Sequence, residues 1–336
     1  MKEALLYKKG GSGKVECLLC AHRCTLKEGQ SGVCRVRKNI KGRLYSLNYD
    51  RVAAIHSDPI EKKPLYHFLP ASTSYSIAAM GCNFNCAFCQ NHSLSMVEDE
   101  AGILGERISP EDIVSAALRT GSQSIAYTYS EPTIYFELMI ETARLAKEKG
   151  LKNVMVTNGF MSPEALGMMA PYLDGANVDL KAFSENFYRK YCDAGLAPVL
   201  DTIKGMKNRG IWVELTTLLI PGLNSDKDEL KKLISFITEL DPAIPWHVSR
   251  FFPHHKLLDT PITDTGLIFD VLQTAKETGI KYLYGGNIAS DKWSNTTCPS
   301  CEALLIERSG YYTQVRNMSA GTCTNCGEKI AGVFSA

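Results

Sequence analysis

The sequence predicts an α/β chain, a set of parallel strands with helices between them, flanked at both ends by small cysteine-rich modules. Three observations predict it. Short apolar runs alternate with helical patterns through residues 71–288, and such alternation is the pattern of parallel strands joined by right-handed crossovers. Eleven of the twelve cysteines fall into three tight groups, leaving only Cys192 alone. Polar residues gather where the strand-like runs end, the side on which open sheets and barrels place their chemistry. A doubly wound sheet and a full or partial barrel both satisfy this pattern.

Residues 1–70 read as a metal-binding module and linker, with Cys17, Cys20, Cys24 and Cys34 in a loop-rich, glycine-containing stretch. Residues 71–288 read as the core. Its strand-like runs span 74–80, 124–129, 153–158, 175–182, 211–220 and 246–252. Ser109-Pro110-Glu111-Asp112 is a helix start, with a hydroxyl cap, a proline in the first turn and early acids; Ser162-Pro163-Glu164 repeats it. Gly150, Gly210 and Gly279 follow helical stretches where a left-handed residue would end them. Residues 289–336 carry the last four cysteines.

Composition narrows the function classes. An apolar content of 45% in 336 residues supports a sizeable core and excludes wholesale disorder. A net charge of +1, from 37 basic and 36 acidic residues, argues against a broad nucleic-acid or membrane-binding face. The start, MKEALLYKKG, lacks the apolar run of a secretory signal, and no stretch reaches membrane-spanning length. A soluble, cytoplasmic protein is expected. In that setting close-spaced cysteines point to metal ligands rather than disulfides.

The loop GCNFNCAFCQNH, residues 81–92, opens directly after the first core strand. Cys82, Cys86 and Cys89 stand as Cys-x3-Cys-x2-Cys with no fourth cysteine nearby. Thiolates so spaced converge on one soft metal centre, and iron–sulfur clusters are the usual occupants of cysteine-only sites. His92 is a candidate fourth ligand for zinc. Phe84 and Phe88 would shield the centre or pack the loop.

This motif, with an aromatic before its last cysteine, resembles the signature of radical S-adenosylmethionine (SAM) enzymes, and the resemblance extends through the middle of the chain. It is closest to the branch of pyruvate formate-lyase activating enzymes and, within it, to the radical SAM member of the AmmeMemoRadiSam system. DPIEKKPLYHFLP (58–70), YTYSEPT (127–133), VTNG (156–159), VDLKAF (178–183) and LLIPGLN (218–224) carry that match. The resemblance implies a partial (β/α)6 TIM-like barrel and an oxidoreductase-type mechanism. Three thiolates hold a [4Fe–4S] cluster whose open iron binds SAM, and one electron cleaves SAM to methionine and a 5′-deoxyadenosyl radical. That radical takes hydrogen from a substrate the sequence does not name.

It also implies SAM contacts. Asn91 matches a SAM-contacting asparagine, Thr157 and Asn158 the strand end facing methionine or ribose, and His255 a histidine near adenosine. Asp179 and Lys181 repeat an Asp-x-Lys pattern; residues two apart on a strand share a face, so they either meet a zwitterionic ligand or pair with each other. Glu131 holds the acid of the usual Gly-Gly-Glu run, but Tyr129 and Ser130 replace its glycines, which alters the expected backbone approach. Glu131 also reads as a helix N-terminal acid. Cys192 reads as a buried apolar residue or a hydrogen-atom donor.

CPSC (298–301) and CTNC (323–326) are two knuckles around strands that turn at Ser309-Gly310. Cys298, Cys301, Cys323 and Cys326 therefore predict a zinc ribbon, with a rubredoxin-like single iron as the alternative, and Arg308, Arg316 and Lys329 as its thin basic surface. Cys17, Cys20, Cys24 and Cys34 suit zinc or an auxiliary iron–sulfur cluster, with zinc favoured by the loop-rich setting. The partners implied are a flavodoxin- or ferredoxin-type reductant and Memo-type and Ammecr-type proteins. The alternatives are a glycyl-radical-enzyme activase, a nucleic-acid or metabolite modifier, and a zinc-ribbon or iron–sulfur electron-transfer protein.

Overall fold

Eight strands make the central sheet of this computed structural model, which describes residues 1–335. They are β1 (Ala54–Pro59), β2 (Thr73–Ala78), β3 (Ser124–Tyr127), β4 (Lys152–Thr157), β5 (Gly175–Asp179), β6 (Trp212–Leu219), β7 (Trp246–Arg250) and β8 (Leu283–Gly286). They lie in chain order across the sheet. β2 to β8 pair in parallel, and β1 runs antiparallel to β2 from Ala54↔Ala78 to Pro59↔Thr73. The outer strands β1 and β8 are not hydrogen-bonded to each other, so the barrel stays open.

β2 to β7 are the six strands expected from the sequence. β8 escapes that reading because it is four residues long and ends in Gly285-Gly286. β1 escapes it because AIHSDP has neither an apolar run nor clean alternation.

Helices connect the parallel strands: α1 (Pro110–Arg119), α2 (Phe136–Glu148), α3 (Pro163–Met169), α4 (Ala197–Asn208), α5 (Lys227–Leu240) and α6 (Thr265–Thr278). Ser109 caps α1 by accepting from the Asp112 N–H, and Ser162 caps α3 by accepting from that of Ala165. Both cap roles follow from the hydroxyl–proline–acid pattern. Gly279 closes α6 at φ 108°, a conformation that favours glycine.

The segment 58–70 forms the barrel's floor. Ile60, Leu65 and Phe68 are buried against Ala126 of β3 and Val154 of β4. Gly175 of β5 lets Phe68 come so close that a Cβ would sit 2.9 Å from its ring. Above this apolar layer the buried Glu214 of β6 accepts from the N–H groups of Tyr66 (2.9 Å) and His67 (2.8 Å), the Trp212 indole (3.0 Å) and His247 Nε2 (2.7 Å). Asn177 Nδ2 donates to the Pro64 carbonyl at 2.7 Å. The floor's backbone groups are thus satisfied by side chains of the sheet.

The N-terminal module consists of two three-stranded sheets and packs on the barrel's outer core. The C-terminal module centres on the antiparallel strands Leu304–Ser309 and Tyr312–Val315, joined at the expected Ser309-Gly310 turn. It packs on β8 through Tyr282, Tyr284, Leu305, Ile306 and Ile330. Arg308 is buried here, not on a basic surface: its guanidinium lies 4.1 Å from the Tyr66 ring centroid and donates to the Tyr66 carbonyl (2.8 Å) and the Thr296 hydroxyl (2.9 Å).

Candidate active site

A cavity of about 1040 Å³ opens at the carboxyl ends of the parallel strands. The three-cysteine loop forms one side, strand ends of β3 to β7 the back, and the floor segment with the C-terminal hairpin turn the far side. Cys82, Cys86, Cys89, Asn91, Glu131, Thr157, Asn158, Asp179 and Lys181 all line it. His255 does not. It stacks on His92, ring centroids 4.7 Å apart, on the outer side of the loop.

Each loop thiol has at least one nearby hydrogen-bond donor. The Phe84 N–H (3.3 Å) and Asn158 Nδ2 (3.9 Å) donate to Cys82 Sγ, the Cys192 thiol lies beside Cys86, and the Ser95 hydroxyl and Asn91 N–H lie beside Cys89. The Cys192 bond lowers the Cys86 pKa, whereas burial raises that of Cys82. Three thiols that share a cavity wall, each with a donor at hand, fit a [4Fe–4S] centre, whose ligand sulfurs carry hydrogen bonds that tune its potential. Cys192 is fully buried behind the loop. The carbonyls of Tyr191 and Cys192 pin the loop backbone, accepting from the N–H groups of Ala87 (2.9 Å) and Asn85 (3.0 Å).

Glu131 ties two other predicted residues, Thr157 and Asn158, together. Its buried carboxylate accepts from the Thr133 N–H (3.0 Å), the Thr157 hydroxyl (2.8 Å) and the Asn158 N–H (2.8 Å). It is both the N-cap of the turn Pro132–Tyr135 and a clamp between the ends of β3 and β4. Burial outweighs these bonds and raises its pKa. Asn158 Nδ2 donates to Asn83 Oδ1 at 2.7 Å, which joins the clamp to the cysteine loop.

Asp179 and Lys181 pair with each other at 2.9 Å while both face the cavity. Burial opposes the Lys181 charge, but Asp179, Cys86 and Cys192 outweigh it and raise its pKa. The site therefore presents a cation and a carboxylate side by side.

The replaced glycine leaves a trace. Tyr129 adopts φ 65°, the left-handed conformation a glycine takes freely. Asn91 Nδ2 donates to its carbonyl at 2.9 Å. Its hydroxyl is anchored on Asp58, beside Lys63, which also pairs with Asp58 at 2.8 Å. A backbone conformation typical of glycine is thus held in a tyrosine by its side-chain anchor. Glu61, Lys62, Tyr66 and Tyr311 also line the cavity and were missed by sequence reasoning. Only the DPIEKKPLYHFLP match pointed toward the first three, and nothing pointed to Tyr311.

Cys298, Cys301, Cys323 and Cys326 bring their sulfurs within 4.8 Å of one another, with Sγ–Sγ distances of 3.6 Å (Cys298–Cys326) and 3.8 Å (Cys301–Cys323). One tetrahedral ion with metal–sulfur bonds of about 2.3 Å spaces its thiolates by about 3.8 Å. This cluster could hold a metal.

Comparison with known proteins agrees with this geometry. Residues 77–237 match the model of the Radical SAM superfamily. An uncharacterised protein of Methanocaldococcus jannaschii is 43% identical over 333 residues, covering 98% of this chain and 99% of its own. The pyruvate formate-lyase-activating enzyme of Clostridium pasteurianum is 22% identical over 196 residues, covering 55% of this chain and 80% of its own. In fold, the chain is similar to Streptococcus suis SuiB bound to precursor peptide SuiA, with a TM-score of 0.51 at 15% identity, over 68% of this chain and 51% of that one. Motif, barrel, cavity and near-full-length relative converge: the chain belongs to the radical SAM superfamily.

Proposed function

We propose that this enzyme cleaves SAM reductively at a [4Fe–4S] cluster held by Cys82, Cys86 and Cys89, and directs the 5′-deoxyadenosyl radical to a substrate in the same cavity. The observation that carries the reading is the meeting of these thiols with Asn158, Asp179 and Lys181 at the strand ends. Cluster and SAM together supply the one-electron cleavage of the sulfonium bond; the chain's residues position and enclose them. Asp179 and Lys181 offer opposite charges to the amino and carboxylate groups of a methionine moiety. The clamp on Glu131 fixes the backbone of Asn158 beside the loop, and Asn91 fixes that of Tyr129. The floor segment and the hairpin turn bound the far side of the cavity.

At about 1040 Å³ the cavity reaches the top of the range for small-molecule sites, roughly 300–1,000 Å³. That supports a second molecule beside SAM. The electron is expected from a flavodoxin- or ferredoxin-type donor. The cytoplasm is the expected compartment, and no helix among the described residues is long and apolar enough to cross a membrane. Joint action with Memo-type and Ammecr-type proteins rests on the motif resemblance alone. The C-terminal thiols are assigned to zinc on their tetrahedral spacing.

The test is anaerobic reconstitution with iron and sulfide, reduction, addition of SAM and chromatography of the nucleosides. 5′-Deoxyadenosine is expected from the native chain and not from one carrying Cys82→Ala, Cys86→Ala and Cys89→Ala. Its absence from cluster-loaded native protein overturns the reading. An activase role is separated by adding a glycyl-radical enzyme and looking for the glycyl signal by electron paramagnetic resonance.

A further inference from the structure

The three cysteine groups provide an internal ruler. The C-terminal thiols close to within 4.8 Å, as one tetrahedral ion requires. Among the described residues, neither the loop thiols, which face the active-site cavity, nor Cys17, Cys20, Cys24 and Cys34 form so tight a group of three or more. A cubane explains such wider spacing, because each thiolate binds its own iron and the iron–iron edges push the sulfurs apart. The N-terminal thiols nonetheless form one group, every pair within electrostatic reach. Three are buried and Cys24 is half-buried. Gly32 leaves a bare α-carbon beside two of them: a Cβ there would sit 3.6 Å from Cys24 Sγ and 3.8 Å from Cys34 Sγ.

A second observation is independent of spacing. Arg37, 1% exposed, lies within electrostatic reach of Cys17 and Cys34. Its Nη2 donates to Glu137 at 2.5 Å, but Nε and Nη1 have no partner. Buried N–H donors are almost always satisfied. Sulfur acceptors, whether cluster sulfides or metal-bound thiolates, and the net negative charge of such a group suit this buried cation, so Arg37 points to a bound metal–thiolate group and the spacing selects the cubane.

We propose that Cys17, Cys20, Cys24 and Cys34 hold a second [4Fe–4S] cluster, in place of the zinc that their loop-rich setting suggests. It stands next to the first. The Cys34 carbonyl packs on Gly81, where a Cβ would be 3.1 Å from it, and His22 Nε2 bonds the Asn83 carbonyl at 2.7 Å. Gly81 and Asn83 are the two chain neighbours of Cys82. Such contact suits passage of an electron between the two centres.

The test counts metals and needs no turnover, so its outcome is separate from the SAM-cleavage reading. The full chain carrying Cys82→Ala, Cys86→Ala and Cys89→Ala is reconstituted anaerobically and assayed for iron, sulfide and zinc. About four irons and four sulfides per chain are expected to remain, half the native load. A reduced-cluster paramagnetic signal unaffected by SAM should accompany them. Loss of all iron, with two zinc ions per chain, overturns the proposal. If that variant does not fold, the native chain decides: about eight irons with one zinc supports it, and about four irons with two zincs sinks it.

Discussion

Tyr129 holds a left-handed backbone whose cost for a non-glycine residue is about 1–2 kcal/mol. Its hydroxyl on Asp58 and its ring beside Lys63 keep it there. Tyr129→Phe removes the hydroxyl alone and is expected to lower unfolding stability by about 1–2 kcal/mol, read by urea denaturation. Cys192 acts on the other side of the site, through its bond to Cys86. Cys192→Ala should lower the midpoint potential of the SAM-binding cluster by an amount on the order of tens of millivolts, since about 59 mV is a tenfold change for one electron. A titration monitored by paramagnetic resonance measures it; an unchanged potential would show that the thiol only fills space. The cysteine groups were legible because their spacing is local in sequence. The Cys192 bond and the Asp58 anchor were not, because they join residues 106 and 71 positions apart.

At the scale of elements, the floor segment and β1 depend on carboxylates. Burial pushes the Asp58 pKa up, but bonds from Lys63, Tyr129 and Lys62 outweigh it and hold the carboxyl well below its usual range. Burial likewise opposes the Glu214 charge, and His247 and its other partners hold that pKa down. Folded values below unfolded ones contribute stability that is complete above the ordinary carboxylate range and lost as pH falls through the folded values. The urea midpoint, as far as these groups set it, is therefore expected to hold down to about pH 5 and to decline below about pH 4. Asp58→Asn should flatten that decline while lowering stability throughout, because Lys63 then lies buried without its counter-charge. Glu214→Gln leaves four donors facing a neutral amide and is expected to cost about 3 kcal/mol. The helices and six of the strands were legible from caps and apolar runs. β1 was not, since its residues take their faces from the polar partners they meet across the sheet.

For the whole molecule, the C-terminal module is less an appendage than a wall. Its turn residues Ser309, Gly310 and Tyr311 line the cavity, and Arg308 joins it to the floor. His67 bonds the Ala331 carbonyl at 2.7 Å and the Tyr284 hydroxyl at 2.6 Å, which sews the chain's end to the barrel. Cys301→Ser with Cys326→Ser is expected to abolish metal binding at the C-terminal site and lower the melting temperature. Amide hydrogen exchange should rise in residues 304–315, with the iron content of the barrel loop unchanged. Exchange unaltered in that hairpin would show that the metal does not support the wall. The two knuckles and their hairpin were legible; their place over the cavity was not, because packing between distant modules leaves no periodic mark.

If the C-terminal thiols hold an ion and the proposed chemistry holds, that wall would couple metal supply to fidelity. A chain short of its C-terminal ion would keep every SAM-facing residue yet leave one side of its reaction chamber ajar. SAM would then be spent on stray hydrogen donors, and a cell starved of that ion would register the shortage as wasted cofactor before it registered lost protein.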